Sequence, residues 1–92
     1  MDLKYTQYAE QVFEWVAPYC GSSDGLGLMS TQQIKSIIES KFSEIFGRSL
    51  SDECVKIVLL YCNGWVKHSS RPFTLIEREL FIEDVSELVW AG

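Results

Sequence analysis

The residues best suited to chemistry in this chain are one histidine, three cysteines and a run of carboxylates toward its end. His68 sits among Lys67, Ser69, Ser70 and Arg71, a polar stretch that reads as a solvated loop. A nucleophile–base pair would have to join His68 to a thiol or a serine, and no motif frames one. Cys20, Cys54 and Cys62 lack the roughly two-to-four-residue spacing of a zinc site and form no regular disulfide pattern. Glu77, Glu79, Glu83, Asp84 and Glu87 could be read as a paired acid–base site. Catalytic carboxylates need partial burial so that one pKa rises. These instead alternate with Arg78 along the polar side of an amphipathic segment and read as a solvated acidic face. Gly21, Gly25 and Gly27 are not followed by the Gly-Lys-Ser/Thr of a phosphate loop. The sequence therefore predicts a non-enzymatic protein with no cofactor and no metal. Lys67, His68 and Arg71 form the one basic cluster, a candidate patch for a phosphate or an acidic partner. Phosphorylation of Ser69 or Ser70 would add about −2 and cancel it.

These residues must be held by a chain of 92 residues with a net charge of −5, 47% of it hydrophobic. That length fits a single domain spanning residues 1–92. Leu, Ile, Val and Phe make up nearly a third of it, enough for a packed core. Net acidity makes direct nucleic-acid binding a poor expectation, because phosphate contacts need a basic face. The longest uninterrupted apolar run, Ile57 to Cys62, is far short of a membrane span. Met1 to Tyr5 lacks a basic region followed by an apolar stretch, so no secretory signal is visible. Together with an odd number of thiols, this implies an intracellular setting, cytoplasm or nucleus.

Apolar periodicity divides the chain into helices. Tyr5, Tyr8, Ala9, Val12, Trp15, Val16 and Tyr19 recur at helical spacing over residues 4–19, with Lys4, Gln7, Gln11 and Glu14 left to solvent. Pro18 ends or bends this helix, and the glycine-rich stretch from Cys20 to Leu28 is a loop. Ser30 and Gln33 have capping-box spacing, Met29 and Ile34 that of a hydrophobic staple. Ile34, Ile37, Ile38, Phe42, Ile45 and Phe46 then form the second helix, stopped by Gly47 in a left-handed conformation. Ser49 or Ser51 caps the third, with Asp52 and Glu53 at the positive end of its dipole. Val55, Ile57, Val58, Leu59, Leu60, Tyr61 and Cys62 surround that helix with apolar side chains. It is expected at the buried centre of the fold, around residues 51–66. A short central strand is the rival reading of the same run. Asn63-Gly64 should weaken the helix. Thr74 and Glu77 repeat the capping-box spacing, opening either one helix from residue 75 or an extended piece followed by a helix from about residue 82. Leu80, Phe81, Val85, Leu88, Val89 and Trp90 supply the last apolar face. The expected fold is all-α, a compact bundle of four to five short helices.

Two stretches resemble known families. Val12 to Ile38 resembles a degraded EF-hand. Val12, Trp15, Val16 and Tyr19 precede a Ser/Asp/Gly loop, Met29-Ser30 takes the place of the short loop strand, and Ile34, Ile37 and Ile38 follow. With Met29 at the eighth loop position, the first, third, fifth and twelfth are Ser22, Asp24, Leu26 and Gln33. One carboxylate cannot hold a cation that wants about six to eight oxygens. The resemblance implies a non-calcium-binding relative that holds partner helices. Ser30 to Val89 resembles a histone fold of the centromere protein X type. Gln33-Ile34 to Lys41-Phe42 matches its first helix, Leu50-Ser51-Asp52-Glu53-Cys54 through Trp65-Val66 the start of its long middle helix, and Leu80 through Val89 the entry to its third. Pro72 stands where that middle helix would continue. This resemblance implies a subunit of a nuclear, centromeric or DNA-repair assembly.

Twelve aromatics are many for this length. Trp15, Tyr19, Trp65, Phe73, Phe81 and Trp90 are the expected partner-binding residues, because Trp and Tyr left at a surface are favoured anchors. The function expected is that of an adaptor or scaffold whose acidic-rimmed apolar groove grips an amphipathic helix or basic segment of another protein. Hetero-oligomer and homodimer both stay open. A small acidic viral or phage inhibitor that occupies a cationic surface fits the same charge balance.

Overall fold

In a computed structural model of the chain, the residues described are 2–19, 31–68 and 74–92. They form four α-helices and no strand: α1 (Leu3–Val16), α2 (Thr31–Phe46), α3 (Asp52–His68) and α4 (Leu75–Ala91). A 3-10 turn, Ala17–Tyr19, extends α1 where Pro18 denies the helix a donor.

Local chemistry sets the boundaries. Asp2 opens α1, its Oδ1 accepting the Lys4 N–H at 3.0 Å. Gly47 closes α2 at φ +70°, its N–H donating to the Ser43 carbonyl at 2.9 Å. An L side chain resists that left-handed conformation, and glycine supplies it without strain. Of the two serines weighed for α3, Ser51 is the cap: its Oγ accepts the Cys54 N–H at 3.3 Å. Thr74 and Glu77 form a complete capping box, with reciprocal bonds of 3.2 and 3.1 Å. The tail is thus one helix from Leu75, and the alternative with an extended piece falls away. The rival central strand falls away too, since residues 52–68 are helical. Asn63-Gly64 does not interrupt α3, which carries Trp65 and Val66 onward to pack on the core. The Ser30 cap and the Met29 staple lie outside the described residues.

The helices close into a ring in which α1 packs on α2 and α4, and α3 packs on α2 and α4. The α1–α4 seam is the most extensive and the α3–α4 seam the loosest. One core cluster draws on all four helices, with Tyr8, Val12, Ile34, Ile38, Phe42, Val58, Cys62, Phe81 and Val85 at its centre. Phe13, which the periodicity of α1 left unassigned, is also buried there, its ring 5.4 Å from that of Phe81.

The ring corrects the expectation that α3 is buried all round. Cys54, Val55, Val58, Cys62 and Val66 do face the core, but Ile57 and Leu60 are exposed. A helix with two neighbours keeps an outer side, whatever residues occupy it. Leu80 and Trp90, expected on the apolar face of α4, are exposed for the same reason, as is Trp15 on α1. The histone-type resemblance implies a middle helix markedly longer than its neighbours, whereas α2, α3 and α4 have 16, 17 and 17 residues.

Candidate functional site

The expected partner-binding aromatics do not form one surface. Phe81 is fully buried, so it is removed from the set: its ring lies 5.5 Å from Tyr61, 6.3 Å from Trp65 and 5.4 Å from Phe13. Its place in α4 points to the core, at helical spacing from Val85 and Val89. Trp65 is half-buried in the same cluster. Trp15 is half-exposed on α1, with the Lys41 ammonium 5.5 Å from its ring centroid. Trp90 projects from the outer side of α4. The Tyr19 side chain and all of Phe73 lie outside the described residues. So do the Lys67 and His68 side chains and all of Arg71, and hence the expected basic patch.

A different surface stands out. Six of the eight large apolar side chains exposed among the described residues lie on α3 and α4, and four of these, Ile57 (50%), Leu60 (72%), Ile76 (78%) and Leu80 (47%), fall on one stripe of each helix. Residues three, four or seven apart share a helix face. Glu53, Ile57, Leu60 and Gly64 therefore run along one side of α3. Ile76, Leu80, Asp84, Glu87 and Ala91 run along one side of α4. Where these stripes meet, at the start of α3 and the end of α4, lies a groove of about 670 Å³. Its apolar lining comes from Cys54 and Ile57 on one helix and Leu88 and Ala91 on the other. Glu53 contributes a carboxylate from one wall, Asp84 and Glu87 from the other, and no Lys or Arg lines it.

Tyr61 spans the groove, donating from its hydroxyl to Asp84 Oδ2 at 2.6 Å. Burial pushes this phenol well above its ordinary value, and the hydrogen bond to Asp84 adds to the shift, while one from Trp65 opposes it. The phenol thus stays protonated and ties α3 to α4 where their packing is loosest. Cys54, at the groove floor, donates weakly to the Leu88 carbonyl at 3.6 Å. Burial raises its thiol pKa, which suits a packing residue better than a nucleophile. Among the described residues, no three His, Cys, Asp or Glu side chains gather as a metal cluster. None of the described helices is long and apolar enough to cross a membrane.

Sequence reasoning anticipated an apolar groove with an acidic rim but assigned it to other residues. The available signal was α3 itself: a helix apolar on every side, in a small bundle, must present part of that surface outward. Comparison with family models, curated proteins and solved structures finds no match to this chain.

Proposed function

We propose that this chain is a non-catalytic interaction module, and that it grips a helix or basic segment of another protein along the α3–α4 face. One observation carries the reading: Ile57, Leu60, Ile76 and Leu80 are exposed on two adjacent helices, and Ile57 lines a groove between them. Fully burying a side chain of this size is worth about 1.5–3 kcal/mol, so four left in water on two neighbouring helices are a ready source of binding energy. The valley between two packed helices is also the shape in which a third helix lays its apolar face.

Site-specific photo-cross-linking in the native host tests this. A photoreactive residue at Leu60 should give a discrete protein adduct that Ile57→Asp removes. The same residue at Gln7, exposed on α1, should give none. Equal adducts from both positions, or no adduct at Leu60, would overturn the assignment of the face.

A further inference from the structure

We infer that the occupant of the α3–α4 groove is a cationic amphipathic helix with basic residues on both flanks of its apolar stripe. This rests on the reading of that face as a docking surface and adds the chemistry of the partner. Carboxylates stand on both walls, Glu53 from α3 and Asp84 and Glu87 from α4, with no lining cation to neutralise them. A docked helix removes water from these groups. Carboxylates that lose water without gaining a partner cost free energy, whereas Lys or Arg at each flank replaces the lost hydration. A helix basic on one flank only would leave the opposite wall uncompensated.

Asp84 is the anchor. Its Oδ2 is already fixed by the Tyr61 hydroxyl at 2.6 Å, which orients the carboxylate before any partner arrives. The other oxygen remains for an incoming donor, so little side-chain freedom is lost on binding. The charge pattern also selects against competing occupants. A second copy of this chain would set Glu53 and Glu87 against further carboxylates, since α4 carries five acidic residues and only Arg78 as a base. Nucleic acids and anionic membranes meet the same repulsion. α3 and α4 each have 17 residues. A helix lying along them would therefore span about 25 Å, roughly four turns or more.

The test is titration of the isotope-labelled full chain, followed by amide NMR shifts, with three designed peptides of equal length. The first has a leucine stripe flanked on both sides by Lys and Arg. The second carries Glu at those flanks. The third has the composition of the first in scrambled order. The expected result is saturable binding of the first peptide alone, with shifts centred on Ile57, Leu60, Leu80 and Asp84. Glu53→Gln with Glu87→Gln should weaken it about tenfold or more, and added salt should weaken it further. Ile57→Asp should abolish it while leaving the circular dichroism spectrum unchanged. If that variant unfolds, Leu60→Ser provides the same reading at a position with less contact to the core. Equal binding of the scrambled peptide would overturn the helix, and equal binding of the Glu-flanked peptide would overturn the charge. Dimerisation of the chain through the same amides would also overturn the proposal. If no peptide binds while the Leu60 cross-link persists, the partner chemistry falls and the docking face stands. If both fail, both fall.

Discussion

The α1–α2 side of the bundle and its α3–α4 side are both rich in apolar residues, yet one is sealed and the other open. Between α1 and α2, Tyr5 packs on Phe46 at 4.9 Å, Tyr8 on Phe42 at 5.5 Å, and Phe42 stacks on Phe46 at 4.4 Å. The Arg48 guanidinium covers this cluster, 4.9 Å from the Phe42 ring and 5.6 Å from Phe46. Across the molecule, Ile57, Leu60 and Leu80 have no such cover. Broad rings fill the space between two helices, and a stacked cation screens their outer edges. Branched aliphatics on a loosely packed pair leave a valley. The lesson is that apolar content alone does not distinguish core from docking surface. Helix spacing and cover do.

The comparison makes quantitative demands. Phe42→Ala, in the sealed side, should cost about 3–5 kcal/mol by urea denaturation. That is a large share of the roughly 5–14 kcal/mol that a chain of this length holds. A loss below about 1 kcal/mol would mean that the aromatic side is not the stabilising one.

Tyr8→Phe is next. It removes the buried hydroxyl that donates to the Ile38 carbonyl at 2.8 Å, which should cost about 0.5–1.5 kcal/mol. Burial, more than the nearby Cys62 and Cys54, pushes the Tyr8 phenol far above its ordinary value of 10.0. Burial pushes Tyr61 and Cys54 in the same direction. Above the ordinary values the unfolded chain loses these protons first and the folded chain keeps them. The unfolded state then binds fewer protons, so stability falls as pH rises. This contribution is fully present below about pH 9 and declines beyond it, and Tyr8→Phe should make the decline shallower in melts from pH 8 to 11. An unchanged alkaline slope would remove Tyr8 from that account.

Gly64→Ala sharpens the open side. Gly64 lies inside α3, and a Cβ there meets nothing within 4 Å. Alanine should raise stability by about 0.5–1 kcal/mol, read as a higher melting temperature. The smallest effect belongs to Leu60→Ser, within about 0.5 kcal/mol of the parent chain, because Leu60 contributes little to the core. A loss comparable to that of Phe42→Ala would erase the contrast between the two sides.

Much of the fold was legible because helix ends are written locally. Thr74 with Glu77, Ser51 before Cys54, and Gly47 after Phe46 each act within a few residues, and each is where the spacing placed it. The burial of Cys54 and Cys62 followed from the same periodicity. The outward surface was less legible, because burial depends on how many neighbours a helix acquires. Phe81 and Ile57 look alike in sequence, each an apolar residue in an amphipathic helix. Phe81 points into the core between the helices, whereas Ile57 lies at the open rim of the α3–α4 groove. The start of α1 at Asp2 was missed because its cap bonds to Lys4 and leaves no three-residue signature. Gly64 seemed a weak point because propensity is local, whereas the packing of Val66 that carries α3 past it is not.

The seam between α1 and α4 joins the two segments farthest apart along the chain. The Ser86 hydroxyl donates to the Ile82 carbonyl at 2.7 Å and lies 3.3 Å from the Tyr5 carbonyl across that seam. The Arg78 guanidinium sits 5.4 Å from the Phe13 ring on the same junction. Sealing this junction demands closure of nearly the whole polypeptide, an entropy cost met only when the first and last helices dock. Shearing off either one strips the other of its chief neighbour, so unfolding should be all-or-none, with no half-assembled hairpin surviving as a stable remnant.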